Sequence, residues 1–535
     1  MYNRICKNRE GVLILKKLNL NDLTIEQKIG QLIVARGYIN EEDKKFIIDM
    51  AKKKCVGGVQ MCFRDGYKNF INELKDAIDY PMLICADMEN GYPGGKYRFP
   101  YPMGIATSGD MEFAYNLGRV TAIEAKKDGV NVAWGPVLDL AVKDSVCRIG
   151  RCFGDDIDFV SKFATEMIKG FQDEGMIVTA KHFPDGSDVK CDTHMQIGIS
   201  KMTEEELIKK DIAPYIEVMK NADLSGIMTI HKIFEKIDPD YPATLSPKVI
   251  NIIRKLGFDG IIMTDSLAMM AIVQNYGEKE CLGLAIKAGC DMLLPNYRLS
   301  FKESYQYLMD AYKNGVFTEE RLNDAVRHVI EAQNKTLKPA STTEVPDELK
   351  NIVEEAKKKS ICMIKNKDVE DKLSDDTRKL FVLFHENSYS GEQISRELEV
   401  SQLYSKDNVL KKKEKFLKEF PNSEVVLINE FPNQFEIEMV CDKISKYDEV
   451  IFYIFCKTSS YLGSDEITRR AESLIKANLD KASAIIHVGN PYELEKFKGA
   501  KKIITTVYGA DCDDYIIEAL KGNFVPCGKI TVDIS

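Results

Sequence analysis

Short apolar runs alternate with charged segments of helical periodicity over the first 300 or so residues of this 535-residue chain. Such alternation predicts βα units and a parallel sheet. The runs predicted as strands are residues 32–35, 56–60, 82–86, 130–134, 176–180, 226–230, 260–264 and 291–294. Eight units of this kind predict a TIM-type (β/α)8 barrel, whose site is built at the C-terminal ends of its strands.

Polar residues follow most of these apolar runs directly. The residues that do so are Asp87, Asp139, Lys181, His182, His231, Asp265 and Asn296. A doubly wound sheet is the alternative architecture, but it would concentrate polar groups at a single switch point. Polar groups on strand after strand favour the barrel.

A Pro/Ser/Thr-rich stretch at 338–346 predicts a linker between a barrel domain at 1–337 and a second domain at 347–535. The second domain has apolar runs at 380–384, 425–428, 450–454, 484–486 and 503–506. They predict an αβα sandwich. Neither Gly-x-Gly-x-x-Gly nor Gly-x-x-x-x-Gly-Lys occurs in it, so nothing in the domain supports nucleotide binding.

Composition narrows the class of protein. Apolar residues make up 44% and charged residues 29% of the chain, with a net charge of −9, which argues against disorder and against nucleic-acid binding. The 14 cysteines form no Cys-x-x-Cys pair, which favours free thiols in a reducing compartment. The N-terminal apolar stretch at 11–15 is shorter than a secretory signal or a membrane span. We therefore expect a cytoplasmic protein without a membrane partner.

The candidate chemistry is concentrated in residues 181–194, Lys-His-Phe-Pro-Asp-Gly-Ser-Asp-Val-Lys-Cys-Asp-Thr-His. The segment is too polar, and with Pro184 and Gly186 too kinked, to be predicted as a buried strand. In it, Asp192 stands two residues before His194, a spacing at which a carboxylate can orient an imidazole.

Asp265 ends a separate apolar strand. A fixed carboxylate and a proton donor are the pair that retaining glycoside hydrolysis requires. On the residues alone, however, Asp192 and His194 could equally form a local Asx turn, and Asp265 could cap a helix.

The residue types and spacing in this segment resemble those of a known family. Residues 181–184 followed by 192–194 resemble the Lys-His-Phe-Pro-Gly-His-Gly-x4-Asp-Ser-His signature of the β-N-acetylhexosaminidase branch of glycoside hydrolase family 3. Residues 23–33, 135–139, 150–154 and 237–272 resemble further segments of its barrel, and 488–492 and 526–532 resemble segments of its αβα sandwich. The resemblance covers nearly the whole chain.

The resemblance implies a role for each matching residue. Asp265 would be the nucleophile, and His194, oriented by Asp192, the general acid and base. The sugar would be held by Asp87, Arg151, Lys181 and His182, with His231 lining the site. The family's second basic contact after Asp87 has no direct match here, and Arg98 is the candidate for it. It implies a small carbohydrate substrate, no cofactor or metal, and a monomer or homodimer.

The chain departs from the family pattern in three places, one of them residues 88–98, which stand where the family has Gln-Glu-Gly-Gly-Arg-Val. Asp185-Gly186-Ser187 stands where the family has Gly-His-Gly, and Trp134, expected to pack in the core, stands where it usually has Phe. The leading hypothesis is a retaining exo-β-N-acetylglucosaminidase acting on small soluble glycans. The alternatives are phosphorolytic cleavage of the same linkage, a β-glucosidase of the same family and a weakened sugar-binding homologue.

Overall fold

The computed structural model describes residues 15–63, 66–145, 147–386, 404–456, 465–509 and 511–534. Its internal contacts divide the chain into two compact units. The first comprises Met1–Arg98, Ala114–Ser145 and Asp156–Lys350, and the second comprises Phe99–Phe113, Val146–Asp155 and Asn351–Ser535. Two short segments that lie among the barrel strands along the chain therefore belong, by their contacts, to the second unit.

The first unit is a closed parallel barrel. With strands numbered along the chain, its sheet has the order β1-β2-β3-β4-β5-β7-β10-β11 and every neighbouring pair is parallel. These strands are β1 (Val34–Ala35), β2 (Gly58–Gln60), β3 (Leu83–Asp87), β4 (Val132–Val137), β5 (Ile177–Phe183), β7 (Gly226–Thr229), β10 (Ile261–Ser266) and β11 (Met292–Leu294). The Leu293 N–H donates to the Leu32 carbonyl at 2.8 Å, which joins the last strand to the first.

The barrel predicted from the apolar runs is thus confirmed, and the doubly wound alternative for this domain is wrong. A small additional sheet, in the order β6-β8-β9, is formed by β6 (Gly198–Ser200), β8 (Lys232–Phe234) and β9 (Asp238–Pro242). β6 pairs with β8 in parallel and β8 with β9 antiparallel. This sheet joins the chain after β5 to the chain after β7.

Helices alternate with the barrel strands. They are α1 (Ile25–Gln31), α2 (Glu41–Lys52), α3 (Tyr67–Ala77), α5 (Met111–Lys127), α6 (Ile157–Asp173), α7 (Glu204–Lys209), α8 (Ala213–Asn221), α9 (Pro247–Lys255), α10 (Met270–Tyr276), α11 (Glu280–Ala288), α12 (Phe301–Lys313) and α13 (Glu319–Lys335), while α4 (Pro102–Ala106) lies in the second unit. Several of them begin at side-chain caps. Thr24 and Ser300, for example, each form a reciprocal capping box at the start of α1 and α12, which satisfies otherwise unpaired N–H groups.

Strand β5 extends further than the sequence predicted. The apolar pattern ended it at residue 180, with Lys181 and His182 in a following loop, but the structure continues the strand to Phe183. Lys181 is only 2% exposed. The expectation that a segment this polar could not be a buried strand was wrong for these three residues, because their polar groups have partners on neighbouring elements. The Lys181–His182 and Phe183–Pro184 peptide bonds are cis.

The barrel interior is apolar and contains Trp134. The side chains packed together there include Val34, Leu83, Val132 and Met263, and Trp134 among them is 1% exposed. The prediction that the only tryptophan packs in the core is confirmed. Its large ring fills the space between the β4 backbone and the opposite strands.

The second unit is built around a mainly parallel sheet in the order β12-β17-β16-β15-β13-β14. Its strands are β12 (Cys362–Lys365), β13 (Lys379–His385), β14 (Ser423–Asn429), β15 (Glu449–Phe455), β16 (Ala482–Val488) and β17 (Lys502–Thr506), and its helices are α14 (Asp347–Lys359), α15 (Lys406–Glu419), α16 (Gln434–Ile444), α17 (Arg469–Ala477) and α18 (Asp513–Leu520). The chain moves from β13 to β14 in one direction and from β15 to β17 in the other. Right-handed crossovers therefore place α15 and α17 on opposite faces, which gives the predicted αβα sandwich. β12, which pairs antiparallel with β17, was not predicted.

Among the described residues, no helix has the length and apolar character needed to cross a membrane.

Replacing Trp134 by Ala should destabilise the barrel by about 3–5 kcal/mol, because it leaves a large cavity among the side chains of the interior. Trp134→Phe is the matched control and should cost roughly 1–2 kcal/mol, since an aromatic ring still fills most of the space. Denaturant unfolding followed by circular dichroism measures both. Equal stability of the two variants would show that the indole is not part of the packed core.

Candidate active site

The C-terminal ends of the barrel strands bring together the polar residues that the sequence singled out. Asp87 is the last residue of β3, Lys181 and His182 lie near the end of β5, and Asp265 lies one residue before the end of β10. All four lie on strands, and each of the three strands is paired with a neighbouring strand on both sides. Their side chains therefore have well-defined positions, as a catalytic site requires.

Lys181 is a buried cation with two carboxylate partners. Its Nζ lies 2.6 Å from Asp87 Oδ1 and 2.8 Å from Glu89 Oε1. The Lys181 side chain is 2% exposed and Glu89 is 10% exposed, whereas Asp87 is 58% exposed. A buried ammonium group is tolerated only when it is paired. Asp87 therefore holds Lys181 with one oxygen while much of its carboxylate stays open to the barrel mouth.

His182 is paired with Asp139, which follows β4. The His182 N–H donates to Asp139 Oδ1 at 2.7 Å, and the ring Nδ1 lies 2.8 Å from Asp139 Oδ2. Because a carboxylate only accepts, Nδ1 carries the proton, and Nε2 is turned away from Asp139. The ring is fixed from both its backbone and its side chain.

Asp192 and His194 form the local pair that the sequence predicted. Asp192 Oδ1 accepts from the His194 backbone N–H at 2.9 Å and lies 2.7 Å from ring Nδ1. The Asp192 side chain is 3% exposed and that of His194 is 23% exposed. The buried carboxylate thus fixes Nδ1 as the protonated nitrogen and leaves Nε2 as the one that can exchange a proton.

The loop that carries this pair is bonded to the chain that follows β10. The Met270 N–H donates to the His194 carbonyl at 3.0 Å. Met270 begins α10, five residues after Asp265. The geometry therefore brings a loop residue from β5 and a strand residue from β10 to the same part of the barrel mouth.

Asp265 is ionised over the whole physiological range. Burial of its carboxyl group acts to raise the pKa, but the electrostatic effect of the His182, His231 and His194 side chains acts in the opposite direction. The Ser266 N–H, which donates to Asp265 Oδ1 at 2.6 Å, adds to their effect, and the pKa falls from 3.8 to about 2. Because the pKa of Asp265 is lower in the folded protein, its ionised form stabilises the fold at pH values above 3.8. This stabilisation is lost as the pH falls towards 2.

His231 contacts the backbone that follows Asp265. It is fully buried, and burial lowers the pKa of its imidazole. Ring Nε2 donates to the Ser266 carbonyl at 3.0 Å, and Nδ1 lies 2.8 Å from Thr244 Oγ1. Both nitrogens are therefore engaged by the protein, and the ring supports the backbone that follows Asp265.

The two arginines that were predicted as sugar contacts each donate to a backbone carbonyl. Arg98 is in the long connection after β3, where its Nη1 donates to the Gly91 carbonyl at 3.1 Å. Arg151 belongs to the second unit, where its Nη1 donates to the Cys147 carbonyl at 2.9 Å. Their assignment to sugar binding stays a prediction.

Two residues of the cluster were not assigned to the site from the sequence. Glu89 holds the buried side of Lys181, and Asp139 orients His182. The available signal for Asp139 was its position after an apolar strand, and for Glu89 its spacing of two from Asp87. Neither signal identifies a partner, because each contact joins residues far apart along the chain.

The barrel corresponds to a known family. The family model described as the glycosyl hydrolase family 3 N terminal domain matches residues 24–332. The chain belongs to glycoside hydrolase family 3. The resemblance that the motifs carried is thereby confirmed, and this family 3 protein is a glycosidase of the β-hexosaminidase branch.

Curated relatives and solved structures agree with that placement. A protein from Nitrosomonas eutropha named beta-hexosaminidase is 36% identical over 258 residues, which cover 45% of this chain and 73% of the relative. A Cellulomonas fimi protein named beta-N-acetylglucosaminidase/beta-glucosidase is 26% identical over 339 residues, or 59% of this chain and 58% of the relative.

Solved structures show the same fold along nearly the whole chain. A family 3 β-N-acetylglucosaminidase from Paenibacillus sp. str. FPU-7 has a TM-score of 0.80 at 24% identity and covers 96% of this chain and 99% of its own. A β-glucoside phosphorylase has a TM-score of 0.80 at 23% identity, with 96% and 95% covered. At these identities the likeness establishes the two-domain fold.

Replacing Glu89 by Gln should destabilise the protein by about 1.5–3 kcal/mol, the range for losing a charge-assisted hydrogen bond at a buried group. The loss stays moderate because Asp87 remains as a partner of the Lys181 ammonium. Lys190→Met is the matched control, since Lys190 and Asp144 form an exposed pair, and it should change stability by less than about 1 kcal/mol. Denaturant unfolding of both variants checks the difference. Equal losses of stability in Glu89→Gln and Lys190→Met would contradict a buried ion pair between Glu89 and Lys181.

Proposed function

We propose that this protein is a retaining exo-glycosidase that removes terminal β-linked N-acetylglucosamine from small glycans. The substrate is supported by the relatives, since the Nitrosomonas eutropha protein is named a beta-hexosaminidase and the Paenibacillus structure is of a β-N-acetylglucosaminidase. The mechanism is supported by the residues at the C-terminal ends of the barrel strands. The observation that carries it is an ionised Asp265 beside a loop that presents the Asp192–His194 pair.

In the first step Asp265 attacks the anomeric carbon while His194 protonates the departing oxygen. The new bond joins Asp265 Oδ to C1, and the C1–oxygen bond breaks with its electron pair going to the leaving group. That oxygen takes the Nε2 proton of His194. Asp265 is suited to attack because its low pKa keeps it unprotonated, and Asp192 stabilises the imidazolium from which the proton leaves.

In the second step a water molecule replaces Asp265 at C1. The neutral His194 Nε2 accepts the water proton as the oxygen attacks, and the Asp265–C1 bond breaks to regenerate the carboxylate. The two displacements together retain the β configuration. An imidazole performs both roles near neutral pH without the raised pKa that a carboxylic acid would need.

The sugar is held by the charged strand ends. Asp87, whose carboxylate is largely exposed, accepts hydrogen bonds from sugar hydroxyls, and Lys181 and His182 donate to them. The pairing of Lys181 with Asp87 and Glu89 fixes these groups before the substrate arrives. Such preorganisation reduces the ordering cost of binding.

Phosphorolysis is the second candidate for the second step. The proposed acid and base, His194, is an imidazole and carries no negative charge. An anionic acceptor would therefore meet less repulsion here than in a site with a second catalytic carboxylate. Inorganic phosphate would then replace water and leave a glycosyl phosphate. Product analysis with and without phosphate distinguishes the two acceptors.

The first test compares hydrolysis of an aryl β-N-acetylglucosaminide with that of the matching aryl β-glucoside. Wild-type enzyme should prefer the N-acetyl substrate, and Asp265→Ala should lower kcat/KM at least about 10³-fold because the nucleophile is lost. A 2-deoxy-2-fluoro glycoside should label Asp265, as shown by mass spectrometry of the peptide. Preference for the glucoside would overturn the substrate assignment, and turnover of neither would overturn the enzyme proposal.

A second test uses leaving groups to identify the acid. His194→Ala should lower kcat/KM about 10²–10⁴-fold on an alkyl glycoside, whose leaving group needs a proton, but at most about tenfold on a dinitrophenyl glycoside. Azide should restore part of the kcat of His194→Ala on the dinitrophenyl glycoside, because azide can attack C1 in place of water without needing a base. Equal losses on the two substrates would show that His194 does not protonate the leaving group.

A further inference from the structure

The turn at residues 185–187, where the chain departs from its family, is buried. Asp185 and Ser187 are 0% and 1% exposed. Asp185 and Gly186 both have positive φ, 74° and 75°, and a Cβ on Gly186 would come within 3.2 Å of the Lys232 and Phe234 side chains. A turn packed this closely leaves little freedom to the loop that starts from it.

Lys232 lies at the centre of the contacts that hold this turn. It opens β8 and is 2% exposed. Its Nζ donates to the Asp185 carbonyl at 2.8 Å and to the Gly186 carbonyl at 2.9 Å. Asp185 Oδ1 lies 4.0 Å away, so the same ammonium group also faces the turn's carboxylate. A buried cation that binds two consecutive carbonyls fixes the backbone between them.

Two further contacts fasten the turn to other parts of the barrel unit. Asp185 Oδ2 accepts from the Leu140 N–H at 3.1 Å, in the chain that follows β4. The Ser187 N–H donates to Asp211 Oδ2 at 2.7 Å, between α7 and α8. The turn is thus held from three elements at once, and Lys232 is the only lysine in this set.

The contacts continue from the turn towards the Asp192–His194 pair. The loop from 189 to 191 packs over β6, where a Cβ on Gly198 would lie 2.5 Å from Val189 Cγ1, 3.0 Å from Cys191 Sγ and 3.6 Å from Lys232 Cγ. The stem of Lys232 therefore shares one packed site with Val189 and Cys191. Asp192 is the next residue along the chain, so the position of the proton-transfer pair depends on this packing.

We propose that Lys232 is a positioning residue that holds the proton-transfer loop in place and acts on the reaction through His194. The proposal rests on the function proposed above for His194. On this view the departure at 185–187 does not signal a weakened site: the carboxylate of Asp185, the carbonyls beside it and Lys232 together hold the loop in its working position.

The test is Lys232→Met, which keeps the length of the stem and removes the ammonium group. The kcat/KM should fall at least about tenfold on an alkyl glycoside, which depends on the positioned acid, and less than about threefold on a dinitrophenyl glycoside. In the His194→Ala background the same substitution should have little further effect. Equal losses on the two substrates, or full additivity with His194→Ala, would overturn action through His194.

Hydrogen exchange measured by mass spectrometry tests the anchoring without reference to activity. Peptides spanning 185–197 should exchange faster in Lys232→Met than in wild type, while peptides from β7 and β10 should be unchanged. Unaltered exchange in 185–197 would overturn the proposal even if the wild-type enzyme hydrolysed neither glycoside, a result that would itself overturn only the proposed function.

Two further variants separate positioning from folding. Lys232→Met combined with Asp185→Gly removes both charges and places glycine where φ is positive, so neither member of this pair is left buried without the other; it should show the same dependence on leaving group. Lys220→Met is the matched control, since Lys220 is 61% exposed and pairs with Glu217, and it should leave rates and exchange unchanged. Wild-type rates and exchange in the double variant would overturn the role of Lys232.

Discussion

The buried ammonium group of Lys181 is the constraint on which the barrel mouth depends. A lysine that is 2% exposed near the end of a strand is unstable unless carboxylates surround it. Asp87 and Glu89 supply them from the end of β3, and His182 on the same strand is held by Asp139 from the end of β4. The ends of three neighbouring strands are thereby tied together by charge. The polar groups that we propose to bind the sugar are thus fixed before it arrives.

The neighbours of Asp265 set its charge state. The imidazoles of His182, His194 and His231 outweigh the effect of burial and keep the pKa of its carboxyl group at about 2. His231 also fixes the backbone that follows, because its ring Nε2 donates to the Ser266 carbonyl. In the proposed mechanism, the tight ion pairs of Lys181 are thus separate from the carboxylate that reacts.

The fold was predictable because barrel strands are buried on both faces and leave continuous apolar runs. All eight runs became strands, but β5 was ended too early at residue 180. Pattern rules assign polar residues to loops, and nothing local to Lys181 shows that Asp87 and Glu89 will reach it. Strand β12 was missed because the short run at 362–365 carries an exposed lysine and lies at the sheet edge.

The site was predictable where its contacts are local or belong to a motif. Asp192 and His194 are two residues apart, so their pairing is visible in the sequence. Glu89, Asp139 and Lys232 act on residues tens of positions away, and no single-sequence pattern connects them. Arg98 was a candidate sugar contact because it follows Asp87 along the chain; its guanidinium donates to the Gly91 carbonyl of its own loop, and its role stays a prediction.

The altered turn shows how a buried carboxylate at one position depends on a buried cation at another. A carboxylate at position 185 is buried and sits at positive φ, a conformation that aspartate tolerates better than most residues but less well than glycine. The Leu140 N–H and the Lys232 ammonium group face this carboxylate and offset the cost of burying its charge. The same ammonium group donates to the carbonyls of Asp185 and Gly186. Each residue makes the other tolerable, so the two positions act as one unit in holding the loop that carries His194.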